Sequence, residues 1–318
     1  MSLQRFILKR ALSVIPILFG VSVITFGLFH LTPGDPVSQL VALNPDVTAA
    51  DEARLRERWG LSGPVWEQYL TWITNVMVGD FGQELRTGRD VSGIVWRRLP
   101  ETVALGIFGW VFALVIAIPT GIYAAINKDR LGDTVSRFIA LSGISIPNFW
   151  LGLMLILVFS LYIGLFPVLP PSRLPLYHPD MLWFLILPGV TIGTAAAASI
   201  MRVMRTSMAE QLNKEYVTAA RAKGLPERSV VFKHVLRNSL ISVVTLAASL
   251  TAGIVAGSIV VEVVFNWPGL GREFIGAIDQ REINVVMAIT LFTGFFVIMA
   301  NLVADILYAV LDPRIRYD

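Results

Sequence analysis

Six long apolar runs, separated by polar stretches, organise this chain: Ala11–Leu31, Thr102–Ile126, Phe138–Leu165, Met181–Met201, Leu240–Val261 and Val285–Leu311. A helix needs about 20 apolar residues to cross a hydrocarbon core of roughly 30 Å. In lipid every backbone polar group needs an internal partner, so runs of this length predict helices. Pro16, Pro119, Pro147 and Pro188 fall inside the runs, where bundled spans tolerate proline and kinks form. The pattern predicts an all-α polytopic membrane protein with six transmembrane helices. Its divisions are an N-terminal segment with the first span (1–32), a loop region (33–100) and a five-helix core (101–318).

The loop region is too long for a turn and carries helical patterning of its own. Thr48-Ala49-Ala50-Asp51 reads as a capping box opening a charged helix that closes at Gly60. After Pro64, the residues Val65, Trp66, Tyr69, Leu70, Ile73, Val76 and Met77 recur at helical spacing. That stripe, with Trp66 and Trp72, is expected to rest on the bundle or in the interfacial aromatic belt. Between the third and fourth runs, Pro167, Pro170, Pro171, Pro175 and Pro179 predict a stiff, extended connection.

Composition agrees with the membrane class: 55% of residues are hydrophobic and 15% charged, and the mean hydropathy is +0.66. The absence of cysteine excludes disulfides, zinc ribbons and thiol catalysis. A net charge of +3 says little, but its distribution sets orientation. Lys9, Lys128, Lys214, Lys223 and Lys233 all fall on one side of the six-span arrangement, joined by Arg5, Arg10, Arg130, Arg202, Arg205, Arg221, Arg228, Arg237, Arg314 and Arg316. That side is predicted to be cytoplasmic, with both termini inside. The first run is expected to be a retained span, being longer than a signal-peptide core and lacking an A-x-A-like site before Thr32-Pro33-Gly34-Asp35.

Candidate chemistry inside the spans is sparse. Gly189–Ser199 and the set Ala247, Ala248, Ala252, Gly253, Ala256 and Gly257 are small-residue faces, read first as helix packing within the chain. Asp305, with Asn301 four residues earlier, reads as interhelical hydrogen bonding, and Glu262 as an anchor for the Phe265–Gly271 turn. There is no G-x-x-x-x-G-K-[ST] phosphate loop. His30, His178 and His234 fall on different membrane faces, so they cannot form one metal or acid–base site. An enzyme is not expected.

One segment stands apart. Asn213–Asn238 is the most polar and basic short stretch, set between two spans. Glu215 in the first turn, Ala219, Ala220 and Ala222, and basic residues at the end predict a helix over Lys214–Lys223. Gly224 is placed to stop it in the left-handed conformation, and Pro226 at N1 with Glu227 to start another. Two readings stay open: a cytoplasmic loop that obeys the positive-inside rule, and a docking helix where Ala219 and Ala220 let a partner approach. A DNA-binding helix-turn-helix is discounted, because short tethers to two spans keep it out of a groove, and no nucleic-acid partner is expected.

These residues carry a resemblance. The segment from Tyr216 reads YV-x-x-ARAKGL and ends in His234-Val235-Leu236-Arg237-Asn238, similar to the cytoplasmic "EAA" loop in its peptide-class form. Thr218 stands where the general motif has Glu. TPGDPV at Thr32–Val37, VEVVFNWPGLGR at Val261–Arg272 and LDPRIRY at Leu311–Tyr317 fit the same family, whereas Arg281-Glu282-Ile283-Asn284 replaces its Arg-Asp followed by Pro. The chain resembles the B-type permease subunit of the dipeptide/oligopeptide/nickel class of ABC importers.

The resemblance implies a type I importer half-channel in a bacterial or archaeal cytoplasmic membrane. Its partners would be a homologous second permease, two cytoplasmic ATPases that bind ATP and Mg2+, an extracytoplasmic solute-binding protein and the lipid bilayer. No cofactor is implied in this chain. Glu215, Ala219, Ala220, Lys223 and Gly224 would form the ATPase-docking loop, and di- or oligopeptides would be the solute. An ion-coupled secondary transporter and a non-transporting membrane scaffold are the alternatives.

Overall fold

The structure, a computed structural model, describes residues 3–31, 48–58, 62–171 and 174–311. The Thr32–Val37 motif, Gly60, Arg173 and the C-terminal residues 312–318 lie outside them, as do the side chains of Ala252, Ala256 and Gly257. Among the described residues no strand forms, beyond an isolated bridge between Gln83 and Asp90. In chain order the helices are α1 (Leu3–Leu31), α2 (Ala49–Arg58), α3 (Val65–Met77), α4 (Val91–Ile126), α5 (Leu131–Ser145) and α6 (Asn148–Leu155). There follow α7 (Pro179–Leu212), α8 (Glu215–Ala222), α9 (Glu227–Ser229), α10 (Leu236–Val264), α11 (Leu270–Gln280) and α12 (Ile283–Leu311). π-helical turns extend α6 over Ile156–Tyr162 and join α9 to α10 over Val230–Val235.

Among the described residues, five helical stretches are long and apolar enough to cross a membrane: Ile7–Leu28, Val91–Ile126, Pro179–Leu212, Glu227–Thr251 and Ile283–Ile306. The third apolar run departs from the expected straight span. It is split into Leu131–Ser145 and Asn148–Tyr162, which meet at 108° and make a sixth span only when taken together. Pro147 is the cause. Its ring disfavours helix at the residue before it, so Ile146 turns extended (φ −81°, ψ 124°) and α6 starts afresh after Pro147. Each half, at about 22 Å, falls short of a hydrocarbon core.

The chain divides into two compact units. One comprises residues 1–10, 101–268 and 297–318, and is centred on α7, whose membrane-spanning window is 72% buried. Apolar side chains gain little from leaving lipid, so close packing must hold such a bundle together. Small residues provide it. A Cβ at Gly193 would lie 2.5 Å from the carbonyl oxygen of Gly109 and 2.8 Å from Phe112 Cδ1, and one at Gly189 would strike the Phe108 ring. Gly143 of α5 packs more loosely, a Cβ there lying 3.2 Å from Thr194 Cγ2 and 3.3 Å from Ala198 Cβ. The small-residue face of α7 is thus consumed within the chain. At the far end of α10, Trp267 stacks on Phe184 (centroids 5.9 Å apart) and donates to the carbonyl of Glu101 at 2.9 Å. Buried Glu262 accepts from the Thr102 hydroxyl at 2.9 Å and, through its backbone carbonyl, from Trp267 N. It anchors that turn as expected. Asp305 pairs with Arg10 at 3.3 Å, an interhelical contact through charge rather than through Asn301.

The second unit comprises residues 11–100 and 269–296. Residues 269–296, placed by sequence in the 101–318 core, group here because a turn at 281–284 holds the loop that precedes α4. The Glu282 carboxylate accepts from the backbone N–H groups of Leu85 (2.6 Å) and Arg86 (2.9 Å), and Asn284 donates to the carbonyl of Gln83 (2.8 Å). Arg281 supplies the left-handed residue (φ 60°) that ends α11. Val91, Ile94, Val95, Leu270, Val285 and Ile289 form the core beneath. The capping box is present: the Asp51 N–H donates to Thr48 Oγ1 at 3.3 Å and Thr48 N to Asp51 Oδ2 at 3.2 Å. The stripe on α3 is only partly used. Tyr69 and Trp72 pack on Phe26, and Tyr69 bonds Ser22, but Val65, Trp66, Leu70 and Met77 stay exposed.

Within the 84–89 turn, Arg89 forks onto Glu84 (2.8 and 3.0 Å) and the Thr87 hydroxyl donates to the same carboxylate. The Arg89 guanidinium holds the Glu84 carboxyl below its ordinary value of 4.5, against the opposing effect of burial. A lowered folded-state pKa contributes stability that is complete above the ordinary value and lost as pH falls through the lowered one. Amide-exchange protection at Gly88, whose N–H donates to the Glu84 carbonyl within this turn, is therefore expected to hold steady from pH 7 to 5 and to fall below 4.5. Glu84→Gln should remove that dependence; an unchanged acid profile in the variant would assign it elsewhere.

Candidate functional site

The polar segment between α7 and α10 folds as a short helix, a bend and a second helix continuous with the next span. Asn213 ends α7, its side-chain amide donating to the carbonyl of Ala209 at 2.9 Å. Lys214 is extended (φ −80°, ψ 150°) and turns the chain into α8. The joint is braced by Tyr216, whose hydroxyl donates to Gln211 Oε1 at 2.8 Å. α8 buries Val217 and Ala220 in the core that also holds Val230, Val231 and Val235.

The bend is a full Schellman motif. Lys223 caps α8, and Gly224 follows in the left-handed region (φ 76°). Gly224 N–H donates to the carbonyl of Arg221 (2.9 Å) and Leu225 N–H to that of Ala220 (3.4 Å). Pro226 takes the N-cap (φ −63°, ψ 140°), one position earlier than the N1 placement expected, and Glu227 begins the helix. Arg221 closes the bend by forking onto the Glu227 carboxylate at 3.1 and 2.6 Å. From Glu227 the backbone stays helical through the π turn into α10, so the second helix is the start of a span.

The five candidate residues divide by face. Glu215, Ala219 and Lys223, spaced by four, are exposed along one stripe of α8, and Gly224 is exposed beside it. Ala220 is buried (8% exposed) against its own chain, where its small size serves packing of α8. Around the exposed stripe lie Arg228 and Lys233 with the partly exposed Tyr216, Leu225 and Phe232, a mixed basic and apolar surface. The Arg221–Glu227 and Tyr216–Gln211 braces were not foreseen from the sequence. Their spacings of six and five cross a bend or a helix end, where helical periodicity carries no signal. Among the described residues no three His, Cys, Asp or Glu side chains gather as a metal site.

The chain matches two family profiles. "Binding-protein-dependent transport system inner membrane component" covers residues 117–317, and the N-terminal profile of the same systems covers 3–106. It is 40% identical to the oligopeptide transport system permease protein AppB of Bacillus subtilis, over 98% of this chain and 99% of that one. The glutathione transport system permease protein GsiC of Escherichia coli is likewise 40% identical, over 98% and 99%. The dipeptide transport system permease protein DppB of Alkalihalophilus pseudofirmus is 35% identical, over 98% of each. Among solved structures, the inward-facing MetNI methionine ABC transporter matches at a TM-score of 0.53 and 19% identity, covering 69% of this chain and 96% of that one. An amino acid ABC transporter matches at 0.51 and 12%, covering 75% and 98%. The helical bundle therefore has the type I ABC importer permease fold, and the chain belongs to the family of binding-protein-dependent transport system inner membrane components, the permeases of ABC importers.

Proposed function

We propose that the chain forms half of the translocation path of an ATP-driven peptide importer. Its other half is a homologous permease; two cytoplasmic ATPases holding ATP and Mg2+ bind beneath, and an extracytoplasmic solute-binding protein delivers the peptide. The observation that carries this reading is the 35–40% identity, over 98% of the chain, with permeases named for oligopeptide, dipeptide and glutathione transport. Both termini and the 213–238 segment face the cytoplasm, in keeping with the gathering of every lysine on that side. α8 is the docking helix. Its exposed stripe meets the ATPase, and its buried face and braced bend fix it to α7 and α10, so a push on α8 moves two spans instead of bending a loop.

Two measurements test this. Proteoliposomes holding both permeases, the ATPases and the binding protein should accumulate labelled tri- and tetra-alanine only with ATP inside the ATPase compartment. Uptake that follows an ion gradient and survives without ATP would establish a secondary transporter instead. Since the chain has no cysteine, Ala219→Cys offers a single thiol on the exposed stripe. It is expected to cross-link to an ATPase subunit with a yield that changes on ATP addition. Buried Ala220 should react weakly when substituted likewise, and equal reaction at both positions would contradict the placement of α8.

A further inference from the structure

We propose that Asp133 and Arg205 are positioning residues that carry movement of the docking helix into the second and third spans. The inference rests on the importer reading above and extends it to residues outside the docking loop. Asp133, in the first turn of α5, is fully buried, and its carboxylate is gripped by the Arg205 guanidinium of α7 at 2.5 and 2.6 Å. Two further donors converge on it. Arg137 lies 3.5 Å away, and the N–H of Asp129, itself in the left-handed region (φ 63°), donates to Oδ2 at 3.0 Å. One carboxylate thus joins α7, α5 and the turn that ends α4.

Stability alone is a poor reason for this pair. Burying two charges costs more desolvation than apolar side chains of the same volume would, and ionisable groups in helices of spanning composition are rare without a task. A bidentate guanidinium–carboxylate pair has instead a fixed direction, suited to holding one helix in register with another. Its position fits that role. Arg205 lies two turns, about 10 Å, from the end of α7, where the docking segment begins. One residue earlier, Met204 packs on Gly121 of α4, where a Cβ would come within 2.7 Å of Met204 Cβ and 3.0 Å of the Met201 carbonyl. The docking end of α7 is therefore keyed to α4 by close packing and to α5 by charge. A displacement of α8 that reaches α7 must drag Asp133, and with it α5 and the 127–130 turn.

Contiguity is not coupling, so the test measures coupling. Single Asp133→Asn leaves a buried guanidinium uncompensated, which alone could unfold the site. The informative variant is the double Asp133→Asn with Arg205→Gln, which removes both charges and the fork together. In the reconstituted complex this variant is expected to assemble and hydrolyse ATP within about twofold of the unmodified complex. Labelled tri-alanine taken up per ATP hydrolysed should fall at least tenfold, and the ATP-dependent cross-link from Ala219→Cys should persist. Arg205→Lys, which keeps charge but loses the fork, should fall between. Normal uptake per ATP in the double variant would overturn the proposal, as would loss of thermal stability in a complex that still couples normally. If the unmodified complex shows no ATP-driven uptake at all, the importer reading fails and takes this inference with it.

Discussion

Valine in place of Gly193 is expected to leave little or no folded permease in the membrane. Its Cβ would sit 2.5 Å from the backbone oxygen of Gly109 and 2.8 Å from Phe112 Cδ1. A flexible side chain could swing away from such a contact, but a helix backbone cannot. α4 would have to leave α7, and with it go the contacts of Gly189 with Phe108 and of Gly109 with Ile192. Overpacking a core usually costs about 1–3 kcal/mol, and displacing the central helix of a lipid-embedded bundle should exceed that. Gly106 provides the control. It lies one turn from Gly109 on the same helix, and a Cβ there meets nothing within 4 Å. Size-exclusion of detergent-solubilised protein should show a monodisperse peak for Gly106→Ala and aggregate for Gly193→Val. Equal behaviour would show that backbone proximity does not hold these helices together.

How legible this was in the sequence varies from element to element. Long apolar runs located every span, because length and hydropathy suffice to identify a helix in lipid. The left-handed bend was legible too, since Gly224 sits between a strong helix former run and Pro226. The broken third span was not, although Pro147 marked its place. Span length argues for a single crossing, and only tertiary packing decides between a mild kink and a 108° turn. Asp133 was hidden for a different reason. In a linear reading it belongs to a short basic connection, and Arg205 to the positive charges that follow a span. Their meeting, 72 residues apart, is a property of the folded bundle. The face of Ala220 was obscured by its neighbour: two adjacent alanines look alike in sequence, yet a helix turns them 100° apart, one outward and one into the core. Glu282 shows the reverse case. In the sequence it stood only as a departure from the family pattern, and in the structure it caps two backbone N–H groups of the facing loop.

Proline at Gly224 is expected to separate ATP hydrolysis from uptake. Gly224 is held at φ 76°, which proline cannot reach, since its ring fixes φ near −65°. The substitution also deletes the N–H that bonds the carbonyl of Arg221, and it pushes Lys223 out of its present conformation (φ −77°, ψ 2°). With the Schellman turn gone, Arg221 and Glu227 lose the geometry of their paired hydrogen bonds, and the last turn of α8 frays. The spans themselves are untouched, so the protein should insert and express normally. On the coupling proposed above, what fails is transmission: a docking helix hinged on a loose loop would absorb the ATPase stroke rather than pass it to α7 and α10. Peptide uptake is expected to fall at least tenfold, while ATP turnover by the assembled complex persists and no longer responds to loaded binding protein. Gly224→Asn separates conformation from composition. Asparagine tolerates the left-handed region and keeps its N–H, so the bend should survive with a cost of about 1 kcal/mol and most of the uptake retained. Retained uptake in the proline variant at normal expression would mean that the bend carries no force, and the coupling would then have to run through the exposed stripe of α8 alone.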